Sequence, residues 1–226
     1  MKKIISLALC GALLVGCGMS KTGSGALIGS GAGAALGAGI GYLLGGDGQS
    51  AAIGAAVGTA LGAGTGTVIG KKMDEKAAQL KELENAQVET VTDVNGLKAI
   101  KVTFDSGILF DFNKSTLKPA AQTQLDKFAA EMADMPETNF TIYGHTDNVG
   151  SEKANEKVST QRAESVEKYL RTKGIAKDRM TAEGLSFNFP VADNSTEAGR
   201  AQNRRVEIYI SANEEMVKEA ENGTLQ

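Results

Sequence analysis

The sequence is poor in the side chains that most often carry metal or redox chemistry. Among its 226 residues are one histidine, His145, two cysteines and no tryptophan. Cys10 lies in an apolar N-terminal stretch that we expect to be removed, so no pair of cysteines is left for a disulfide bond. One histidine without paired cysteines leaves only carboxylates as metal ligands. We therefore expect neither a metal site nor a cofactor.

An excess of positive charge is also missing. The sequence has 24 lysines and arginines against 27 aspartates and glutamates, a formal net charge of −3. Loss of Lys2 and Lys3 with the N-terminal stretch leaves 22 basic residues against 27 acidic ones, or −5. Proteins that bind nucleic acids need a concentrated basic face. We expect no nucleic-acid partner.

Catalytic machinery is not apparent either. His145, Asp147 and Ser159 are the residue types of a hydrolase triad, but His145 and Asp147 lie only two residues apart on one predicted loop. The sequence offers no nucleophile elbow and no recognisable oxyanion donor. The prediction is that this protein is not an enzyme.

The N-terminus is typical of an exported bacterial protein. Two lysines precede an apolar run, residues 4–15, that is too short to span a bilayer. The following Leu14-Val15-Gly16-Cys17 resembles the bacterial lipobox, whose cysteine is acylated on sulfur and becomes the new N-terminus. We predict a signal peptide at residues 1–16 and lipidation of Cys17, which begins a tether at residues 17–24. An ordinary secretory signal with an accidental cysteine is the alternative.

The residue after the lipobox cysteine bears on localisation. Lipoproteins retained in the inner membrane usually carry aspartate at this position, whereas this sequence has Gly18. The resemblance therefore implies attachment to the outer membrane, with the C-terminal part in the periplasm.

Glycine is concentrated in a repeat with a period of four residues. The repeat comprises Gly25, Gly29, Gly33, Gly37, Gly41, Gly45, Gly54, Gly58, Gly62, Gly66 and Gly70. A row of small residues lets helices approach closely, so we predict a helical hairpin over residues 25–70, packed on itself or on copies in a homo-oligomer. Each half has about 20 residues, or about 30 Å of helix, which matches a bilayer core. The sequence leaves open whether this segment, which looks like the glycine zippers of bacterial envelope proteins, is a transmembrane hairpin, an oligomerisation element or a flexible linker.

The rest of the chain alternates predicted strands and helices. Residues 71–87 mix both charge signs and predict a solvated helical spacer, and residues 213–226 predict a loosely ordered polar tail. Between them we expect an α/β domain at residues 88–212. Its predicted elements are a hairpin at 88–94 and 97–104, a helix opened by Pro119, a strand ending at Gly144, a helix at 152–172, and strands at 179–185 and around Val206, Ile208 and Ile210.

One charged residue falls on the apolar face of the predicted helix 152–172. Arg162 lies in the middle of the stripe that Val158, Val166 and Tyr169 define, flanked by Asn155 and Ser159. Burying an unpaired guanidinium costs several kcal/mol, so it must meet an anion. That anion is either the carboxylate of Asp147, in the loop before the helix, or a ligand carboxylate. A purely structural Asp147–Arg162 salt bridge stays open at this point.

Residues 104–210 are similar to the OmpA C-terminal-like, peptidoglycan-binding family, which implies a βαβαβ layered domain with a mixed sheet. Val158 stands where the family usually has leucine. The similarity rests on Phe110-Asp111-Phe112-Asn113, Gly144-His145-Thr146-Asp147, Gly150 with Asn155, Ser159, Arg162-Ala163 and Asn203-Arg204-Arg205.

The resemblance also implies a ligand, the diaminopimelate residue of the peptidoglycan stem peptide. Asp147 would bind its ammonium and Arg162 its carboxylate. Supporting roles fall to Asn113, Asp111, Thr146, Asn155 and Arg205, with Arg204 as the alternative to Arg205.

Two functions follow as expectations. The first is a lipid-anchored outer-membrane protein that binds peptidoglycan non-covalently and ties the membrane to the wall. The alternative makes the glycine repeat the active part, an oligomeric pore or assembly platform in a membrane, with the wall-binding domain as its tether.

Overall fold

A computed structural model describes residues 63–225 apart from residues 94 and 112. The predicted signal peptide, the lipidation site Cys17 and residues 25–62 of the predicted hairpin lie outside the described residues. So does Phe112, one residue of the family motif.

The described part of the chain forms six α-helices, one 3₁₀ helix and five strands. They are α1 (Ala63–Leu80), β1 (Ala86–Thr92), β2 (Lys98–Asp105), α2 (Ser106–Leu109), α3 (Pro119–Glu131), β3 (Thr138–Gly144), α4 (Glu152–Thr172), a 3₁₀ helix (Lys177–Arg179), β4 (Met180–Gly184), α5 (Glu197–Asn203), β5 (Arg205–Ala212) and α6 (Glu214–Asn222).

The five strands form one mixed sheet in the order β1-β2-β5-β3-β4. Only β3 and β4 are parallel, and the other neighbours are antiparallel. Val102 and Ile142 both pair with Ile208 of the central strand β5, so three apolar side chains lie in one row across the sheet. The predicted α/β fold with a mixed sheet is confirmed.

The core fills the space between one face of this sheet and the helices. Phe128 of α3 lies between Phe104 of β2 and Phe140 of β3, with edge-to-face ring contacts at 6.4 and 6.1 Å. Side chains alternate along a strand, so residues next to these core positions lie on the opposite face of the sheet. That second face carries the polar residues Glu207 and Lys101.

The expectation of a solvated spacer over residues 71–87 is wrong. The helix there begins at Ala63, ends at Leu80 and packs into the core through a stripe of buried side chains. Lys72 and Lys76 fasten it further, the first by an ion pair with Glu137 and the second by a 2.8 Å bond to Asp134. The sequence pattern does not indicate this buried stripe, because charged residues surround it. Its members are Ile69, Met73, Ala77 and Leu80.

The expectation of a loosely ordered tail is also wrong, because residues 214–222 form α6, which packs against α1. The Asn213 side chain caps the helix by accepting hydrogen bonds from the backbone N–H groups of Glu215 and Met216. Met216 and Ala220 enter the core. Among the helices of residues 63–225, none combines the length and the apolar composition that a membrane span needs.

Candidate ligand-binding site

The site lies where β3 and β4 end in a pair of aligned glycines beneath helix α4. Gly144 pairs with Gly184 in the parallel register. A Cβ atom at Gly144 would lie 2.0 Å from the backbone oxygen of Ser159, and one at Gly184 would lie 2.3 Å from Oγ1 of Thr160. Only glycine permits this approach. The close contact brings Arg162, one helical turn after Ser159, next to the loop that follows β3.

That loop, residues 145–150, holds the carboxylate of Asp147 in a fixed position. Oδ1 of Asp147 accepts a hydrogen bond of 3.0 Å from the backbone N–H of Val149. Asn155 of α4 donates to the carbonyl of Val149 at 3.0 Å, and the backbone N–H of Thr146 donates to the carbonyl of Ser186 at 2.9 Å. The loop is therefore fastened to both of its neighbours, α4 and the segment after β4.

Arg162 is buried, with 6 % of its surface exposed, as the sequence pattern predicted. Its Nε donates to the carbonyl of Lys114 at 3.2 Å, and its guanidinium lies over the ring of Phe110, 5.3 Å from the ring centre. Burial lowers the pKa of Arg162 and the neighbouring Arg204 lowers it further, whereas Asp147 raises it. Within the described part of the chain Arg162 forms no ion pair. The alternative of a direct Asp147–Arg162 salt bridge is therefore wrong.

The apolar stripe of α4 differs in detail from the expectation. Val158 and Tyr169 are only half-buried, and the buried face runs through the polar residues that flank Arg162. Its members are Asn155, Ser159, Arg162, Ala163, Val166, Glu167 and Leu170.

The partner of Asp147 is Arg204, which follows α5. Nη1 of Arg204 donates to Oδ2 of Asp147 at 2.7 Å, and Nη2 donates to Glu197 at 2.9 Å. Glu197 also accepts a bond of 2.7 Å from Arg200. Burial alone would lower the pKa of Arg204, but its bonds to the two carboxylates outweigh that effect and raise it. Acidic and basic groups thus alternate along one side of the site.

The assignment of Arg205 to this site is wrong. Strand β5 begins at Arg205, and the alternation of its side chains places this arginine with Glu207 on the opposite face of the sheet. There Nε of Arg205 donates to Glu207 at 2.6 Å, and the hydroxyl of Tyr209 donates to the same carboxylate at 2.9 Å. Burial would raise the pKa of Glu207, but the neighbouring His145 and Arg205 bring it far below its usual value.

Asp147 and Arg162 line one cavity of about 550 Å³. Three arginines and two carboxylates contribute to its wall, an excess of one positive charge. The Thr146 hydroxyl is buried in this wall and has no hydrogen-bond partner among the described residues. The lining residues are Asn113, Thr146, Asp147, Val149, Gly150, Ala154, Asn155, Val158, Arg162, Glu197, Arg200 and Arg204.

The structure thus brings together five of the seven ligand-binding residues that the sequence suggested: Asn113, Thr146, Asp147, Asn155 and Arg162. It does not bring Asp111 into the lining, because this side chain is exposed and pairs with Lys114 at 3.2 Å. The described residues contain no group of three or more potential metal ligands.

Sequence reasoning missed Glu197 and Arg200 and preferred the wrong arginine of the Arg204-Arg205 pair. A signal for the missed residues exists, because Glu197, Arg200 and Arg204 are spaced by three and four residues, as on one face of a helix.

Comparison with known proteins agrees with this architecture. Residues 109–204 match the model of the OmpA family. The chain contains an OmpA family domain. In addition, residues 1–74 match the YMGG-like Gly-zipper, which covers the glycine repeat and the first part of α1.

Relatives of the OmpA family domain occur in several envelope proteins. Outer membrane protein A of Bordetella avium is 45 % identical over 112 residues, covering 50 % of this chain and 58 % of the relative. The Escherichia coli protein named probable lipoprotein YiaD is 39 % identical over 112 residues, covering 50 % of this chain and 51 % of the relative. Each match therefore spans little more than half of the curated relative.

A solved structure resembles the domain as well. It is the cell wall anchor of the T6SS from Pseudomonas aeruginosa, 30 % identical, with a TM-score of 0.52 over 62 % of this chain and 96 % of that one.

Proposed function

We propose that the OmpA family domain binds peptidoglycan without cleaving it and that Asp147 and Arg162 hold the free end of diaminopimelate in the stem peptide. This end carries an ammonium and a carboxylate on one carbon atom. The planar guanidinium of Arg162 suits the carboxylate because it can donate two parallel hydrogen bonds. The carboxylate of Asp147 suits the ammonium.

The observation that carries the proposal is a buried guanidinium that lines a cavity and forms no ion pair within the described residues. Burying such a charge is costly, so a site that retains it favours an anionic ligand group. The buried Thr146 hydroxyl, which also has no partner there, supplies a further polar contact. Val149 and Val158 give the cavity an apolar side for the methylene chain of the ligand.

The cellular role that we propose combines this domain with the N-terminus. Lipidation at Cys17 would attach the chain to the outer membrane, and the domain in the periplasm would bind the wall. The names of two relatives support this role, since one is an outer membrane protein and another is a cell wall anchor. Membership of a family of binding domains supports a role without catalysis.

A sacculus pull-down tests the site. The full chain, solubilised in mild detergent, is incubated with purified diaminopimelate-type sacculi, and the retained fraction is measured for wild type, Asp147→Asn and Arg162→Gln. We expect retention to fall at least about tenfold in both variants, because each leaves one charge of the ligand unpaired. Circular dichroism melting curves show whether the variants remain folded.

Two matched controls test whether any loss of charge has the same effect. Arg171→Gln removes an arginine from the same helix, where its side chain is 46 % exposed, and Asp178→Asn removes an aspartate outside the cavity lining. Both should be retained like wild type. If Asp147→Asn and Arg162→Gln were also retained like wild type, the proposal would be refuted.

The oligomeric platform stays a prediction, supported by the match of residues 1–74 to a glycine-zipper model. A deletion that tests it should end at residue 62, because Ile69 belongs to the core of the domain. The chain without residues 25–62 should bind sacculi under either hypothesis, but only under the alternative should the cellular effect of the protein be lost.

A further inference from the structure

Arg204 contacts Asp147 at the position that the proposed function assigns to a ligand ammonium. Its Nη1 donates to Oδ2 of Asp147 at 2.7 Å, while Oδ1 is bonded to the backbone of Val149. Each carboxylate oxygen thus has one partner already. Arg204 lies against Oδ2, so a ligand ammonium that binds this oxygen must share it with Arg204 or displace Arg204.

Arg204 keeps a second partner when it gives up the first. Its Nη2 donates to Glu197 at 2.9 Å, and the side chain of Glu197 is 67 % exposed, so this bond lies at the mouth of the site. A guanidinium can hold one carboxylate with one edge and release another from a different edge. When Arg204 releases Asp147, its charge is therefore still paired with Glu197.

The charges around the cavity then decide which ligands can displace Arg204. Of the three arginines that line the cavity, Arg162 alone forms no ion pair with a described residue. A ligand that carries only an ammonium takes Asp147 and adds a positive charge beside Arg162 and Arg204. A zwitterionic end adds no net charge, because its carboxylate meets Arg162 while its ammonium meets Asp147.

We propose that Arg204 is a specificity-determining residue, which competes for Asp147 and thereby restricts the site to ligands that present a carboxylate beside their ammonium. This inference rests on the proposed function. The exposed Arg204–Glu197 contact and the more buried Arg204–Asp147 contact form its structural basis, since side-chain exposure falls from 67 % at Glu197 to 12 % at Asp147.

The experiment compares two soluble stem peptides that differ in one group. One carries diaminopimelate at the third position, and the other carries lysine, which has the same terminal ammonium without the carboxylate. Binding of each to the full chain in mild detergent is measured by titration calorimetry at fixed low ionic strength. The readout is the ratio of the two dissociation constants, which a loss of folded protein alone does not change.

For Arg204→Gln we expect this preference for the diaminopimelate peptide to fall about tenfold, because the uncompensated ammonium of the lysine peptide then lies beside one guanidinium fewer. Arg204→Lys, which keeps the charge, should restore most of the preference. Arg171→Gln is the control: it removes an equal charge from outside the cavity lining, where the side chain is 46 % exposed. Its preference should stay within about twofold of wild type.

The outcomes separate this inference from the proposed function. If wild type binds the diaminopimelate peptide but Arg204→Gln leaves the preference unchanged, the role of Arg204 is refuted and the site stands. An equal fall in Arg171→Gln also refutes it, since the net charge of the protein would then explain the preference. If wild type binds neither the peptides nor sacculi, the proposed function itself fails.

Discussion

Gly144 at the end of β3 lies directly against the backbone of Ser159 in α4, so that a Cβ atom there would be 2.0 Å from the Ser159 oxygen. We expect Gly144→Ala to push α4 outward and to lower the free energy of unfolding by about 1–3 kcal/mol, measured by urea denaturation. Sacculus binding should fall as well, because Arg162 moves with the helix. Gly64→Ala is the control, since a Cβ at Gly64 meets nothing within 4 Å. Equal stability of the two variants would contradict this account of the contact.

Arg205 should matter for stability and not for ligand binding. Both Arg205 and Glu207 are 5 % exposed at the side chain, so Arg205→Met leaves a buried carboxylate without its cation. We expect a loss of about 3–5 kcal/mol in the free energy of unfolding. The double variant Arg205→Met/Glu207→Gln should recover most of it, because no charge is then stranded. A selective loss of sacculus binding by folded Arg205→Met would show that the residue belongs to the site after all.

His145 should make the domain sensitive to mild acid. Burial lowers the pKa of His145 below its ordinary 6.5, and the nearby Glu207 offsets this only in part, across a distance of 3.7 Å that is too long for a hydrogen bond. The unfolded chain therefore binds a proton before the folded domain does. Stability should be complete above about pH 6.5 and decline as the pH falls from there towards the pKa of the folded state.

The measurement for His145 is the free energy of unfolding in urea between pH 7 and pH 5. The slope of wild type should largely vanish in His145→Gln, which has no group that titrates in this range. A second decline should begin below about pH 4.5, because the pKa of Glu207 is lowered in the folded state, and it should be smaller in His145→Gln, where Arg205 alone lowers that pKa. If His145→Gln keeps the wild-type slope above pH 5, another group is responsible.

Helices α1 and α6 should contribute to the stability of the domain. Met73 of α1 and Met216 of α6 are fully buried, so truncation of either to alanine should cost about 2–5 kcal/mol. Val68→Ala in α1 should cost little, because Val68 is 43 % exposed. Urea denaturation of the three variants checks both statements. If the methionine variants are as stable as Val68→Ala, the packing of these helices is not as described.

Amidation of the ligand should weaken binding through Arg162. A stem peptide with a carboxamide in place of the terminal diaminopimelate carboxylate offers no anion to this guanidinium. We expect affinity to fall roughly tenfold to a hundredfold in titration calorimetry, the range for a lost hydrogen bond to a charged group. Arg162→Gln should bind the two peptides with similar affinity, and a preserved difference would place the recognition of the carboxylate elsewhere.

Strands and one long helix with a regular pattern were predictable from the sequence, and the short helices were not. Helix α4 occupies the predicted residues 152–172, because its 21 residues show a helical period and Ser151 caps its start. Helices α2, α5 and α6, with four to nine residues each, are too short to show a period. Helix α1 went unrecognised as part of the domain because charged residues surround its short apolar stripe.

The residues of the candidate site were also predictable only in part. The burial of Arg162 was predictable because helical spacing alone places this arginine on the face of α4 that turns inward, which is a local signal. The partner of Asp147 was not, because Arg204 and Arg205 are adjacent and their roles depend on where β5 begins. The strand begins at Arg205, which therefore shares a face with Glu207 two residues later. A boundary of this kind lies within the usual uncertainty of one or two residues at the end of an element.

The burial of α1 determines where tension would enter the domain. In a chain attached to the membrane at Cys17 and bound to the wall through Asp147, a pulling force reaches the described structure at Ala63, the first residue of α1. The helix would detach from the core stepwise, starting at that end. Ile69 would therefore leave the core before Met73 and Leu80. The domain would lengthen as this helix detaches, while the sheet beneath the site stays intact. A sudden load would then be absorbed before it reached the binding site.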